Sequence, residues 1–333
     1  MKKNIFKLIM VLVLALTVTS CGAQFNTVGI KVGNLENGAK VTSQDKITYY
    51  IYDGDLYKTE SVNEEGRCII QGDLSNVNVV GDKVFYYDNE ISTICRSNSE
   101  GDRIHRIAEV YTNKFVVSKD NVYAEILTGQ GSEDVEDIDN HSVVKMKVTE
   151  GKVTSTMPQV IIEKARIIGC IGDYIYVEKK IDGKRTVVKA DYTGEEVATL
   201  MTLPENAQVI GGIDGFYVMG TVQESYGIYK FGIDGTMETM VTKVDKKTTG
   251  GSNVFNMAGD AIYYENYVKS TEDGKTTVKD NVIKMSLDGK EKTTVLENSQ
   301  TMTYDIAAGA DGVIYTAKSA FDLDTIPQWK VMK

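Results

Sequence analysis

The chain has 333 residues, of which 42% are hydrophobic and 25% are charged, with only three prolines. This composition supports a buried core and excludes a disordered, collagen-like or Pro-rich chain. The net charge is −10, and removing the first 20 residues, which hold three Lys and no acidic residue, lowers it to −13. A surface this acidic repels phosphate backbones, so we expect no nucleic acid among its partners.

The N-terminus has the pattern of an export signal. Lys2 and Lys3 precede an apolar run from Leu8 to Leu16, which is shorter than the ~20 residues of a spanning helix. The following Val-Thr-Ser-Cys at 18–21 resembles a bacterial lipobox. That resemblance implies cleavage before Cys21 and diacylation of its thiol, with an uncleaved anchor as the alternative. Residues 1–20 are thus predicted to be a lipoprotein signal peptide. The mature protein is expected outside the cytoplasm, held by its lipid on the outer face of the cytoplasmic membrane or in an outer membrane.

Two short elements repeat through the rest of the chain. The first is an Asp followed three or four residues later by a Tyr, at Asp45–Tyr49, Asp82–Tyr86, Asp120–Tyr123, Asp173–Tyr176, Asp214–Tyr217, Asp260–Tyr263 and Asp311–Tyr315. The second is a basic residue after a mostly apolar or aromatic pair, at Lys58, Arg96, Lys145, Lys189, Lys230, Lys284 and Lys330. A turn with Gly follows six of these basic residues, at Gly66, Gly101, Gly151, Gly194, Gly235 and Gly289. Alternating β-branched and aromatic residues between such turn formers predict strands.

Each repeat holds four predicted strands, because one precedes the Asp, one carries the Tyr, one carries the basic residue and one follows the Gly. About 40 residues and four strands form one blade of a β-propeller. The sequence therefore predicts an all-β fold, a seven-bladed β-propeller of four-stranded blades over residues 41–333. The tyrosines of the repeated element are expected to pack between blades.

Two stretches, Gly81–Tyr87 and Ile228–Gly235, carry a family resemblance. Their pattern resembles the low-density-lipoprotein-receptor-like β-propeller domain of exported bacterial proteins, a domain of unknown function numbered 5050 and related in style to YWTD and TolB-type propellers. The resemblance covers roughly residues 41–333 and implies the fold. Because its motifs are structural, it implies little about function.

The last repeat is expected to lack its outer strand, since neither a Gly turn nor a strand pattern follows Lys330. An unpaired strand edge invites aggregation. The strand-like segment Thr27–Val32 precedes Asp45, the first repeated Asp. The distance between them matches that from the outer strand of each of the first two repeats to the Asp of the following repeat. We predict that this segment pairs with Gln328–Met332 and closes the ring. Residues 21–40 would then be the lipidated N-terminus, a tether and this strand; a flexible tether alone is the alternative.

The sequence contains no HExxH or GxSxG motif and no sialidase-like Asp-box. Its two histidines are His105, expected on the surface or between blades, and His141, expected to be solvated beside an acidic loop. Cys68, Cys95 and Cys170 share no CxxC spacing and are expected to be small buried residues. We predict no enzyme activity, no cofactor and no tightly bound transition metal.

An acidic insertion at 132–140 lies in the third repeat. Its residues Asp134, Glu136, Asp137 and Asp139 are weak candidates for Ca²⁺ ligands, because hard carboxylate oxygens suit that cation. The Gly and the bidentate Glu of an EF-hand are missing, so a solvated hairpin tip is the preferred interpretation.

Three tyrosines fall outside the repeated element and are candidates for binding: Tyr226, Tyr267 and Tyr304. Tyr226 and Tyr267 are expected in connecting segments, where function is commonly carried. Aromatic faces of this kind stack on sugars, which makes a glycan one candidate ligand.

The leading functional hypothesis is a lipid-anchored, monomeric propeller that acts as a binding or scaffold module for a protein or glycan at the cell envelope. Its second partner is the membrane, through the lipid on Cys21. The alternative is an envelope polysaccharide lyase or hydrolase with its site at the mouth of the propeller channel.

Overall fold

The computed structural model describes residues 39–332, except 45–46, 61–65, 119, 129–136, 149–156, 213, 247–252, 259, 274, 299–301, 309–313 and 320–327. The regular structure in these residues is β-strand, apart from one 3-10 turn, Ile138–Asn140. No helix in this part of the chain is long and apolar enough to cross a membrane. The predicted all-β class is confirmed.

Six sheets have four strands each, and in every sheet the strands follow one another in chain order as an antiparallel meander. We call these sheets blades 1 to 6. Blade 1 consists of β1 (Val41–Gln44), β2 (Ile47–Tyr52), β3 (Asp55–Thr59) and β4 (Arg67–Ile70). Blade 2 consists of β5 (Leu74–Val80), β6 (Lys83–Asp88), β7 (Thr93–Asn98) and β8 (His105–Glu109). Blade 3 consists of β9 (Thr112–Ser118), β10 (Asn121–Leu127), β11 (His141–Lys147) and β12 (Gln159–Glu163).

The second half of the chain repeats the arrangement. Blade 4 consists of β13 (Ala165–Ile171), β14 (Tyr174–Ile181), β15 (Lys184–Asp191) and β16 (Glu196–Thr202). Blade 5 consists of β17 (Gln208–Gly211), β18 (Gly215–Val222), β19 (Ser225–Gly232) and β20 (Met237–Lys243). Blade 6 consists of β21 (Phe255–Ala258), β22 (Ala261–Glu272), β23 (Lys275–Ser286) and β24 (Lys292–Asn298). A last sheet consists of β25 (Met302–Ala308), β26 (Ile314–Ser319) and β27 (Gln328–Met332).

The sheets are arranged in a ring with their first strands innermost. Strand β1 lies next to β5, β5 next to β9, β9 next to β13, and β13 next to β17, while β25 lies between β21 and β1. Buried apolar side chains fill the interfaces, as where Ile228 packs with Met257 between blades 5 and 6, and where Tyr50 packs with Ala307 between blade 1 and the last sheet. This is the architecture of a β-propeller.

The predicted number of complete blades, seven, is wrong. The structure has six four-stranded blades, and the last sheet has three strands in the described residues. The reason lies in the final repeat, where β27 pairs with β26 alone among the described strands. The segment Thr27–Val32, predicted to supply the missing strand, lies outside the described residues.

The repeated tyrosines pack between blades, as predicted. Tyr86, Tyr123, Tyr176, Tyr217 and Tyr263 are among the largest fully buried side chains in the described residues. In blades 1, 3, 4, 5 and 6, the Tyr of the second strand is the cross-strand partner of the repeated Lys. The pairs are Tyr49↔Lys58, Tyr123↔Lys145, Tyr176↔Lys189, Tyr217↔Lys230 and Tyr263↔Lys284. Two of these lysines place the ammonium group over the ring of the partner Tyr: Lys145 Nζ lies 5.9 Å from the Tyr123 ring centroid and Lys284 Nζ lies 5.7 Å from that of Tyr263.

The repeated Gly belongs to the turn between the third and fourth strands. Gly194 has a φ of +96°, and a Cβ there would collide with the carbonyl oxygen of Ile161, in the outer strand of the preceding blade. Gly101 approaches Ile69 of blade 1 in the same way. The turn of each such blade therefore docks on the blade before it, and only Gly permits both the conformation and the contact.

Candidate functional site

The turns and connections at one end of the propeller carry exposed side chains. The turns between second and third strands and the connections from one blade to the next inner strand lie at this end, because successive strands are antiparallel. We call it the hairpin end. The longest hairpin there among the described residues is that of β22 and β23, which pair from Ala261↔Ser286 to Glu272↔Lys275.

Four large apolar side chains are exposed at the hairpin end of blades 1 to 3. Tyr52 ends β2, Ile91 lies in the turn between β6 and β7, Tyr111 lies between blades 2 and 3, and Leu127 ends β10. Their exposed fractions are 41%, 39%, 73% and 40%. We call these four residues the apolar patch. Large apolar side chains gathered on one side of a soluble domain are typical of interaction sites.

Hydrogen bonds join the segments that carry the apolar patch. The Leu74 N–H donates to the Gly54 carbonyl at 2.8 Å, which ties the first hairpin to the connection between blades 1 and 2. The Asn89 N–H donates to the Asp73 carbonyl at 2.8 Å, and the Val110 N–H donates to the Ser92 carbonyl at 3.1 Å. These hydrogen bonds therefore tie together the segments that carry Tyr52, Ile91 and Tyr111.

The segment that carries Tyr111 is hydrogen-bonded to a buried residue of blade 3. The hydroxyl of Thr112, next to Tyr111, donates to the Glu125 carbonyl at 2.6 Å. The Glu125 side chain is fully buried beneath the hairpin end. Its carboxylate accepts from Arg166 Nε at 3.2 Å and from the Ile167 N–H at 2.9 Å, both in blade 4, and it lies 3.1 Å from His141 Nδ1.

The Glu125 carboxyl is strongly acidic despite its burial. Desolvation favours the neutral form, but the hydrogen bond with His141, the charges of Lys114 and Arg166 and the Ile167 N–H together outweigh it. They lower the pKa of Glu125 to about 2. A carboxylate held by this many donors joins blade 3 to blade 4.

Two further buried carboxylates occupy the same place in their blades, two residues after the repeated Tyr. Glu178 forms a two-pronged ion pair with Arg185, whose Nη1 also donates to the Ala207 carbonyl at 2.8 Å, ahead of blade 5. Glu265 accepts from the Val254 N–H at 3.2 Å. The sequence signal for this set was the recurrence of Glu at 125, 178 and 265, which the sequence analysis missed.

The two histidines differ in environment. His105 is exposed in the outer strand β8, so the predicted surface position is confirmed. The prediction that His141 is solvated is wrong, because only 2% of it is exposed. It begins β11 and pairs with Leu127 across the sheet, which turns its imidazole inward to Glu125 instead of toward the acidic loop.

The tyrosine candidates lie in strands, so the predicted placement of two of them in connecting segments is wrong. Tyr226 belongs to β19 and is half-buried, and its pKa is raised to about 12 by burial and by the charge of Glu265. Tyr267 belongs to β22, which is 12 residues long, and is only 7% exposed. Tyr304 lies in β25, and nothing is described of its side chain. Neither Tyr226 nor Tyr267 belongs to an exposed surface.

The acidic insertion is described only in its last part, since Asp134 and Glu136 lie outside the described residues. Asp137 caps the 3-10 turn by accepting from the Asp139 N–H at 3.2 Å, and it accepts from Lys180 Nζ of blade 4 at 2.8 Å. The Lys180 hydrogen bond holds the pKa of Asp137 below its usual range. Asp137 thus serves as a link between two blades.

The described residues contain no group of three or more His, Cys, Asp or Glu that could hold a metal ion. Cys95 and Cys170 are buried free thiols, as predicted, whereas Cys68 is half-buried. Burial raises the pKa of the Cys95 thiol to about 11 and that of Cys170 to about 12, which makes both unreactive at neutral pH.

Comparison with known proteins identifies the fold alone. No family model and no curated protein sequence matches the chain. Among solved structures, the acylaminoacyl peptidase of Pyrococcus horikoshii is 12% identical over 91% of this chain and 52% of its own, with a TM-score of 0.56. A prolyl endopeptidase is 13% identical over 90% of this chain and 48% of its own, with a TM-score of 0.52. The chain spans about half the length of these two peptidases, and the similarity supports a β-propeller fold.

Proposed function

We propose that this protein is a lipid-anchored, extracytoplasmic binding or scaffold module that holds a protein or glycan at the cell envelope and catalyses no reaction itself. The observation that carries the proposal is the apolar patch, Tyr52, Ile91, Tyr111 and Leu127, exposed on three successive blades. The lipid on Cys21 would hold the propeller at the membrane.

The scaffold supports a binding role because its exposed turns are fixed by strands on both sides. Rigid loops lose little conformational entropy when a partner binds, so more of the contact energy appears as affinity. The hydrogen bonds between Leu74 and Gly54 and between Asn89 and Asp73 provide this rigidity between blades 1 and 2.

The buried carboxylates support a structural role for the ionisable groups. Glu125, Glu178 and Glu265 are each bonded to backbone or side-chain donors, and the partners of Glu125 and Arg185 include the start of the next blade. Their charges are used to join strands and blades. The alternative, an envelope polysaccharide lyase or hydrolase, requires ionisable groups that reach a substrate at the channel mouth.

The test is site-specific photocrosslinking in the envelope of the cells that produce the protein. A photoreactive phenylalanine replaces Tyr111 in the patch or, as the matched control, Met240 on the outer strand β20, which is 46% exposed. The proposal expects a covalent adduct from position 111 and none from position 240. Equal adducts from both positions, or none from position 111, would contradict it. Turnover of envelope polysaccharide by the purified protein would favour the enzymatic alternative.

The ring is proposed to close through the N-terminal segment. Thr27–Val32 would pair with β27, whose described pairing is with β26 alone. The last sheet already lies between β21 and β1, so one more outer strand would give it the four strands of the other blades. Pairing of this kind covers an edge that would otherwise invite association of chains.

A further inference from the structure

We propose that the apolar patch docks a cationic, partly apolar segment of a protein partner. This inference rests on the proposed binding function and specifies the chemistry of the partner. It concerns the hairpin end of blades 1 to 3 and none of the tyrosines singled out from the sequence.

The side chains of the patch favour a protein over a glycan. Tyr52 and Tyr111 offer aromatic faces, but Ile91 and Leu127 are aliphatic and have no flat face on which a sugar ring stacks. Mixed aromatic and aliphatic contacts suit apolar side chains of a peptide or helix. The ring of Tyr52 is steadied by Tyr57, with ring centroids 6.3 Å apart in an edge-to-face arrangement.

The charge around the patch selects a cationic partner. Four exposed acidic residues lie in the same hairpins and connections: Asp53, Asp73, Glu90 and Glu109. In the described residues of these segments, 52–55, 71–74, 88–93, 109–112, 127–128 and 137–141, no Lys or Arg is present. The half-buried Lys40 precedes β1, the exposed Lys164 marks the boundary with blade 4, and Lys180 of blade 4 pairs with Asp137 at the edge of these segments. Such a field attracts Lys- and Arg-rich segments and repels anionic polymers and lipid headgroups.

Hydrogen bonds hold the Asp73 side chain and the turns that carry Asp53 and Glu90. The Asp73 carboxylate accepts from Asn89 Nδ2 at 3.2 Å, and the Asp55 carboxylate accepts from the Gly72 N–H at 3.0 Å. The Glu90 N–H donates to the Asp88 carboxylate at 3.1 Å, which shapes the turn that presents Ile91. The Asp73 carboxylate and the turns that carry Asp53, Glu90 and Ile91 are therefore held by hydrogen bonds within the protein.

The experiment measures peptide binding to the mature chain, residues 21–333, carrying Cys21→Ser, which removes both the signal peptide and the lipidation site. The probe is a fluorescein-labelled peptide of 12 residues in which Lys and Leu alternate. Two matched peptides replace every Lys by Glu or every Leu by Ser. Fluorescence polarisation gives the dissociation constants at low and at high NaCl concentration.

Three variants locate the binding surface. Ile91→Ser with Tyr111→Ser removes half of the patch and should weaken binding of the Lys-Leu peptide at least about tenfold. Asp53→Asn with Glu90→Gln should weaken it several-fold at low salt and much less at high salt, because exposed charges are screened. Val197→Ser with Met240→Ser, on the outer strands of blades 4 and 5, should leave binding within about twofold. Melting by circular dichroism confirms that each variant is folded.

Two results would overturn the inference: equal binding of the Glu-Leu peptide, or equal binding by the patch variant and the outer-strand variant. The photocrosslinking experiment separates this failure from failure of the proposed function. An adduct from position 111 to a glycan or an anionic protein would leave the binding function standing and refute the cationic partner. Absence of both the adduct and peptide binding would refute the two together.

Discussion

Replacing Glu125 by Gln tests whether a buried carboxylate holds blades 3 and 4 together. Gln keeps the shape of the side chain but removes the charge that His141 and Arg166 face. The NH₂ group of Gln, which is a donor, would also face the donors Arg166 Nε and the Ile167 N–H, whose hydrogen bonds the Glu125 carboxylate accepts. Losing one member of a buried charged set leaves the others without compensation, which is strongly destabilising.

The expected magnitude follows from the acidity of the carboxyl. The pKa of Glu125 falls from 4.5 to about 2 on folding. At 1.36 kcal/mol per pKa unit, this corresponds to about 3 kcal/mol of folding free energy at neutral pH. For a chain of this size, the melting temperature should fall by about 5 °C.

The pH dependence has a definite sign. Because the folded-state pKa is the lower one, the stabilisation by Glu125 is complete above the unfolded-state pKa of about 4.5. It is lost as pH falls through the folded-state value of about 2. The difference in stability between wild type and Glu125→Gln should therefore be constant from pH 7 to pH 5 and should shrink below pH 4.5.

The assay is urea unfolding followed by far-UV circular dichroism at pH 7, 5, 4 and 3. Glu100→Gln is the matched control, since Glu100 of blade 2 pairs with Lys58 and Arg67 of blade 1 but is half exposed. An exposed pair of this kind contributes no more than about 1 kcal/mol. A Glu125→Gln effect as small as the control, or one that does not change with pH, would refute the reasoning.

Three further predictions concern the turns, the anchor and the N-terminal strand. Gly194→Ala should destabilise the protein by about 2 kcal/mol more than Gly183→Ala, because both have positive φ but only a Cβ at 194 meets the preceding blade; equal melting temperatures would contradict this. Cys21→Ala should release the protein from the membrane fraction or leave its precursor unprocessed, and fractionation and migration like wild type would show that Cys21 is not acylated. A chain beginning at Lys40 should melt several degrees below the mature protein if Thr27–Val32 completes the last sheet, whereas identical melting would support a flexible tether.

The sequence predicts the blades because the same residue types occupy the same packing positions in successive blades. The Tyr in the second strand, the Lys opposite it and the Gly in the outer turn each meet a local requirement of the blade, as at Tyr123, Lys145 and Gly194. Because each requirement is local, these residues recur along the sequence from blade to blade. The same logic predicted that the repeated tyrosines would be buried.

The candidate site was harder to predict because it depends on contacts between repeats. His141 follows five acidic residues in the sequence, yet its imidazole lies against Glu125 on the neighbouring strand. Tyr267 lies in a strand and not in a connecting segment because β22 is 12 residues long, a length that the repeat spacing did not indicate. The apolar patch unites turns from three blades, and no single repeat contains its pattern.

The contact between Tyr50 and Ala307 makes one interface of the ring unlike the others. Neighbouring blades elsewhere are adjacent in the chain, so their contacts close short loops, whereas this one closes nearly the whole chain. Loop-closure entropy adds about 1.5 kcal/mol to its cost relative to a 40-residue loop. We expect this interface to form last in folding and to open first under stress, as the seam of the ring. A circular permutation that joins the present termini and cuts the chain between blades 3 and 4 should move the seam to that place.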